Sequence, residues 1–488
     1  MLTTTTAAAL LAYLSAVEAA SSFAVPASPP GNASPLLAPA PVGVSIEFFT
    51  WPGYNQLAST SKCLSNLRDL TGTWPPIRIG GTTQDRATYN PSQTEAVVYS
   101  VAHPKDAPAT LTFGPSFLSL AGKYAGKVTI GLNRRLNNQP NTLAAAKEAV
   151  SAVTNLQAIE LGNEPNFFSS SDPIAGGSWS ASKDFDSQVS WQNAIGPALG
   201  KSSIFSAGVY FGTNSFNIQG LAAREGSALP HVKDYCSHNY PQSSPNFNLT
   251  RLMNHAIIGQ QISPYRAEYN TAKSQGKTYL MGETNSVRAG YRAKLTREAT
   301  QGGGGISPTF GAALWVLDYV IQSVILGLDS LYFHQGTIGN CQYCWWGRYS
   351  MGAPYYGAYF ATLALAGSSQ VAQLDSGSNS FGAYAIYSGT TVKKVLLVNS
   401  NYYSGTGSRS SETFTLTGLS GASVKAKRLT AASAESRQDR GQKPTVGGQT
   451  FVDGTCAIQG AAVTESATVT GGSASFSLQA SEALLVYL

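Results

Sequence analysis

The feature that most restricts the fold is the alternation of short apolar runs with helix-forming segments. Eight strand candidates occur in order: Val42–Phe49, Ile77–Gly80, Lys127–Leu132, Ala158–Gly162, Ser203–Val209, Asp234–Asn239, Thr278–Gly282 and Ser330–Phe333. Between them lie helix-like stretches such as Leu143–Val153, rich in Ala, and the apolar Phe310–Leu326. Short strands, each followed by a crossover, predict a parallel sheet with helices outside, and eight of them close into a (β/α)8 TIM barrel. The expected fold class is therefore α/β, with a catalytic barrel over residues 41–368.

From residue 369 the texture changes. Phe381–Tyr387, Lys394–Val398, Glu412–Leu416 and Ala483–Leu488 are strand-like runs separated by Gly and Ser turns. They predict a C-terminal antiparallel β-sandwich domain over 369–488. The Pro- and Ala-rich segment 20–40 reads as extended chain that can add a strand to that domain. Residues 1–19 combine a run of Thr and Ala, an apolar stretch too short to span a bilayer, and small residues up to Ala19, which fits a cleaved signal peptide.

Secretion is thus the expected address, and two N-x-Ser/Thr sequons, at Asn32 and Asn248, agree with it. Charged residues are only 12% of the chain, and the net charge of +6 is spread without a basic run, so neither nucleic acid nor a membrane is an expected partner. A monomer is expected. Cys63, Cys236, Cys341, Cys344 and Cys456 allow up to two disulfides with one thiol left over, and the pairing stays open. Cys341-Gln-Tyr-Cys344 lacks a second such pair or a His pair, and the five histidines lack ligand spacing, so no metal and no cofactor is expected.

Side chains at the C-terminal ends of barrel strands converge on one face, and two carboxylates stand there. Ile159-Glu-Leu-Gly-Asn-Glu-Pro165 ends the fourth strand candidate with Glu164, and Tyr279-Leu-Met-Gly-Glu283 ends the seventh. Glycosidic cleavage with retention needs one carboxylic acid to protonate the leaving oxygen and one carboxylate to attack the anomeric carbon. Glu164 is the candidate acid/base and Glu283 the candidate nucleophile. Arg78, in the second strand, and Tyr240, after the sixth, are placed to donate to the nucleophile and keep it ionised. Asn163 can bond the sugar 2-hydroxyl, and Glu160 reads as a structural ion-pair partner.

Pro76-Ile-Arg-Ile-Gly-Gly-Thr-Thr-Gln-Asp85, the Ile159–Pro165 segment, Gly282-Glu-Thr-Asn-Ser286, Phe310-Gly-Ala-Ala-Leu-Trp315 and the β-rich tail together resemble glycoside hydrolase family 79, which contains β-glucuronidases and heparanase-like enzymes. The resemblance implies Glu164 as acid/base, Glu283 as nucleophile, Glu47 as a sugar-hydroxyl contact, and Asn163 and Tyr240 as further site residues. In relatives a Tyr- and Gly-containing loop after the nucleophile reads the uronate carboxylate, and here Gly290 and Tyr291 are the counterparts. Arg288 can grip a carboxylate directly, and Tyr343, after the eighth strand, is a further donor. The implied activity is that of a retaining exo-β-glucuronidase acting on a carbohydrate with a terminal uronic acid, plain or 4-O-methylated. Two alternatives stand beside it: an endo-acting heparanase-like enzyme, and a carbohydrate-binding cell-wall protein on an inactive barrel.

Overall fold

A computed structural model describes residues 21–288 and 302–488. Eight strands form a closed barrel: β1 (Val42–Glu47), β2 (Ile77–Gly80), β3 (Val128–Leu132), β4 (Leu156–Leu161), β5 (Phe205–Phe211), β6 (Val232–Asn239), β7 (Thr278–Thr284) and β8 (Leu331–Gln335). Each pairs in parallel with its sequence neighbour, and β8 pairs with β1 to complete the ring. The alternation of side chains explains the closure. Val42, Val44, Ile46, Ile77, Ile79, Val128, Ile130 and Ile159 face the helices and belong to the main apolar core. The intervening positions, Ser45, Arg78, Thr129 and Glu160, turn into the barrel and make its interior polar.

Several strand ends differ from the sequence reading, for local reasons. β1 stops at Glu47 because Phe48–Thr50 turns into a 3-10 helix. β4 stops at Leu161 because Gly162 takes φ 89°, and β5 starts at Phe205 because Ser203 takes φ 55°, both outside the extended region. β7 runs on to Thr284, so Glu283 lies within the strand. The helix read at Leu143–Val153 spans Gln139–Ala152, started by the Asn138 side chain accepting from the Asn141 amide at 3.2 Å. Helix Phe310–Leu326 has the expected bounds.

The C-terminal part is two stacked sheets. Gln370–Gln373, Phe381–Ser388, Thr391–Asn399, Glu482–Tyr487 and Ser423–Thr430 form the body of the larger sheet. Ser411–Thr417 and Ser473–Gln479 form the smaller one with Ser21–Ala24, which pairs in parallel with Phe414–Thr417. Residues along Phe381–Ser388 and Thr391–Asn399 alternate between two cores. Tyr384, Ile386, Leu396 and Val398 pack against the barrel helices, whereas Ala383, Ala385, Val395 and Leu397 pack with Phe414, Leu416, Phe476 and Leu478 between the sheets. The Cys63–Cys456 disulfide ties the first barrel helix, Ala58–Thr71, to this domain, Cys341 and Cys344 bridge locally, and Cys236 is a buried free thiol. Among the described residues no helix is long and apolar enough to cross a membrane.

A buried ion cluster joins the two parts. His255 Nδ1 lies 2.9 Å from Asp318 and Nε2 lies 3.0 Å from Asp375, and the Tyr384 hydroxyl also bonds Asp318. Burial opposes protonation of His255, but the two carboxylates outweigh it and lift its pKa from the ordinary 6.5 to about 10. A raised folded-state pKa gives stability that is complete below pH 6.5 and is lost as pH rises towards 10. The apparent Tm of the wild type should therefore fall across that window, on the scale of a few kcal/mol of stability. His255→Gln should lower Tm at pH 6 and flatten the slope. An unchanged slope in the variant would assign the alkaline loss to other groups.

Candidate active site

The site is built on the C-terminal ends of the barrel strands, and Arg78 organises it. From β2 its guanidinium donates through Nε to Glu160 Oε2 at 2.8 Å, through Nη1 to Glu283 Oε2 at 2.6 Å and to Ser45 Oγ at 3.1 Å, and through Nη2 to Asn163 Oδ1 at 2.8 Å. One planar fork thus fixes β1, β2, β4 and β7 relative to one another. Glu160 is the fully buried partner that keeps this cation matched. The close packing of the strands around it sets the local sequence: a Cβ on Gly282, just before Glu283, would lie 2.2 Å from the Sγ of Cys236.

Glu283 also accepts from the Tyr240 hydroxyl at 2.7 Å, and His334 Nδ1 stands 3.6 Å from it. Burial works against its ionisation, but the imidazole of His334, the guanidinium of Arg78, the imidazole of His238 and the Tyr240 hydroxyl together hold its carboxyl far below the ordinary range. The Tyr240 hydroxyl is pushed the other way, by burial and then by Glu283, so it stays protonated and donating.

Glu164 sits just past β4 in a left-handed conformation, φ 45° and ψ 57°, a region that non-glycine residues seldom occupy. Its amide donates to the carbonyl of Val209 at 3.0 Å, and Val209, a β-branched residue, is itself held at φ 57°. The strained turn projects the Glu164 side chain into the barrel mouth, where its Oε1 lies 3.2 Å from His238 Nδ1. Glu164, His238 and Glu283 each bring one ligand-type atom within 4.8 Å of the others, so the two carboxylates come within that distance of each other.

Asn163 is positioned by Asp85, whose Oδ2 accepts from the Asn163 amide at 2.6 Å while Oδ1 accepts from the amides of Arg134 and Arg135. Glu47 accepts from the amide and hydroxyl of Thr83 through Oε1, at 2.9 and 2.5 Å. Its Oε2 has no hydrogen-bond partner among the described residues and lies 3.4 Å from His334 Nε2. This long contact with the imidazole leaves Oε2 able to accept a hydroxyl brought by a ligand as well. Gly81 makes room for it, since at φ 105° a Cβ there would stand 2.8 Å from Glu47 Oε2.

Tyr343 is buried, its ring 6.2 Å from those of Tyr240 and His334. Burial and then the charges of Glu283 and Glu47 keep its hydroxyl protonated. Arg288 stands on an aromatic bed that reaches the nucleophile's partner, since Phe211 stacks on Tyr240 with ring centroids 6.3 Å apart. Val287–Arg288 pairs with Gln242–Ser243, and the guanidinium covers the rings of Phe167 at 4.0 Å and Phe211 at 4.5 Å, on the side of the mouth where β4 and β5 end. Gly290 and Tyr291 lie outside the described residues. The sequence reading passed over His238, His334 and Asp85. His238 was within reach of it: two residues before Tyr240, it shares that residue's alternating side of the chain.

Known proteins resemble the chain as follows. Residues 383–485 match the glycosyl hydrolase family 79 C-terminal β domain. A β-glucuronidase of Neurospora crassa is 31% identical over 422 residues, covering 75% of this chain and 73% of that protein. A β-glucuronidase of Aspergillus niger is 29% identical over 429 residues, covering 78% and 75%. Among solved structures, a 4-O-α-L-rhamnosyl-β-D-glucuronidase from Fusarium oxysporum, in complex with Rha-GlcA, is 61% identical and superposes with a TM-score of 0.92, covering 96% of this chain and 100% of that one.

Proposed function

The chain belongs to glycoside hydrolase family 79, and on that premise we propose that it is a secreted, retaining exo-β-glucuronidase in which Glu283 attacks the anomeric carbon and Glu164 serves the leaving group. The observation that carries the mechanism is the approach of the two carboxylates to within 4.8 Å. Retaining enzymes hold them about 5 to 5.5 Å apart, whereas inverting ones leave about 6.5 to 9.5 Å for an intervening water.

In the first step a Glu283 oxygen bonds to C1 as the C1–O bond breaks, and Glu164 gives its proton to the departing oxygen. In the second, Glu164 takes a proton from water, the resulting hydroxyl bonds to C1, and the Glu283–C1 bond breaks. Arg78 and Tyr240 favour the anionic form of Glu283 at both ends of this cycle. Glu47 Oε2 and Asn163 are the contacts proposed for sugar hydroxyls, with Tyr343 against the same sugar.

The named activity of the Fusarium oxysporum relative extends the expected 4-O-methyl group to a 4-O-glycosyl one, so the substrate class is a β-glucuronoside that tolerates a sugar at O4. Secretion is supported by the two disulfides, which persist in oxidising compartments, and by the exposure of Asn32 and Asn248. A site built to match a carboxylate leaves its donors unpaired when a neutral sugar binds, so kcat/KM for aryl β-glucuronides, with or without a 4-O-α-L-rhamnosyl group, should exceed that for the matching aryl β-glucosides by roughly 10^3-fold. Comparable values for the two series would reject the glucuronidase assignment and leave the retaining-glycosidase one standing.

A further inference from the structure

Inside the barrel, behind the catalytic pair, three side chains gather ligand-type atoms that the reaction does not use as a set. Glu160 of β4 and Cys236 and His238 of β6 each bring one such atom within 4.8 Å of the others, and all three residues are buried. Glu160 gives Oε2 to Arg78 and turns Oε1 towards Cys236 Sγ, 4.0 Å away. Cys236 is the free thiol, the other four cysteines being joined in disulfides. His238 meets Glu164 through Nδ1, whereas its Nε2 has no hydrogen-bond partner among the described residues although the ring is fully buried.

Gly282, on β7 beside them, marks the point the three share. A Cβ there would stand 2.2 Å from Cys236 Sγ, 3.5 Å from Glu160 Oε1 and 3.6 Å from His238 Nε2, so no side chain from β7 comes between them. A buried ring nitrogen without a partner calls for a ligand or an ordered water. With nothing to accept a proton from Nε2, the hydrogen of the neutral ring belongs on Nδ1, beside the Glu164 carboxylate. Nε2 is left with a bare lone pair, close to a thiol and a carboxylate oxygen. One sulfur, one imidazole nitrogen and one carboxylate oxygen are the donors that Zn2+ takes, with water in a fourth position. The charges also match. The thiolate and Glu160 meet the two positive charges of the ion, and Glu283 remains as the partner of Arg78.

We propose that Glu160, Cys236 and His238 form an inhibitory site for a divalent cation of the zinc type. On binding, Cys236 releases its thiol proton to solvent and its Sγ bonds to the ion, while His238 gives the Nε2 lone pair and Glu160 its Oε1. The ring hydrogen is then confined to Nδ1, which can only donate to Glu164. In the ion-free enzyme that hydrogen can move to Nε2, so that Nδ1 accepts from the protonated carboxyl that the first catalytic step needs. The ion removes this tautomer, holds Glu164 as a carboxylate and arrests protonation of the leaving group. The binding site stands on its own geometry, and the inhibition rests on the reading of Glu164 as acid/base.

Cd2+ is the probe, because it occupies zinc-type sites and a thiolate–cadmium bond absorbs in the ultraviolet. Titration of the wild type, disulfides intact, should give one equivalent bound with that absorption and a raised Tm. Loading should be slow, since buried ligands are reached only through local opening, so the enzyme is preincubated before assay. At about ten times the dissociation constant, turnover of an alkyl β-glucuronide should fall about 10-fold and that of a nitrophenyl β-glucuronide less, and EDTA should restore both. Cys236→Ala and the isosteric Cys236→Ser should keep the metal-free activity, lose the absorption and bind Cd2+ about 100-fold or more weakly, beyond what loss of a merely supporting contact costs.

No thiolate absorption in the wild type, or equal affinity in both Cys236 variants, would overturn the site and assign Nε2 to an ordered water. Binding with the absorption but without loss of turnover, or with equal losses on the two substrates, would overturn the route through Glu164. A wild type that binds Cd2+ through Cys236 yet hydrolyses no β-glucuronide would reject the glucuronidase reading and leave the metal site in place.

Discussion

Glu283→Gln is expected to lower turnover of aryl β-glucuronide by several orders of magnitude, because the amide cannot form the covalent bond to C1 that divides the reaction into two steps. The fold should survive. The amide oxygen can still accept from Arg78, the Tyr240 hydroxyl can turn to accept from the amide NH2, and Arg78 keeps Glu160 at 2.8 Å as its charge partner. The depressed carboxyl pKa of Glu283 adds a second readout: such a group contributes stability above its ordinary value of 4.5 that is lost as pH falls towards the folded-state value. Acid unfolding of the wild type should include this contribution, and the Gln variant should show a shallower fall of Tm below pH 4.5. Initial rates on the purified variant, with its melting curve as the folding control, decide the matter. Retention of more than a few per cent of wild-type turnover would remove Glu283 from the nucleophile role.

The residues at the strand ends were readable from the chain because their signal is local. Asn163-Glu164-Pro165 breaks the pairing just after a buried strand, Gly282-Glu283 stands near the end of another, and the period of the barrel brings the two to one mouth. Arg78 and Tyr240 followed from the same geometry. What escaped is what depends on contacts between distant segments. Asp85 holds the Asn163 amide across 78 residues, which no spacing along the chain announces. The left-handed turn at Glu164 was equally hidden, since it is imposed by the bond from its amide to Val209 and not by its own preference. The aromatic bed of Arg288 was hidden for a similar reason. Following the nucleophile strand in sequence says nothing about the rings of Phe167, in the turn after β4, and Phe211, at the end of β5, that cover the guanidinium.

Glu164→Ala should behave differently from the nucleophile variant, because a general acid is needed only in proportion to how poorly the leaving group departs by itself. On substrates with an alkyl or sugar aglycone, where the departing oxygen must be protonated, kcat/KM should fall by about 10^2- to 10^4-fold. On an activated nitrophenyl glucuronide the first step should be largely spared, and the glycosyl-enzyme should accumulate because no base remains to activate water. A burst of nitrophenol followed by slow turnover is the expected time course. Truncation also empties space beside Glu283 that a small anion can enter, and azide attacks C1 without needing a base. Added azide should therefore restore steady-state turnover and give β-glucuronosyl azide, with the configuration of the starting glycoside. His238→Gln, which leaves the Glu164 carboxylate in place but removes the imidazole 3.2 Å from it, should give no azide product. Equal losses on poor and good leaving groups in Glu164→Ala, with no azide adduct in the product mixture, would take the acid/base role away from this residue.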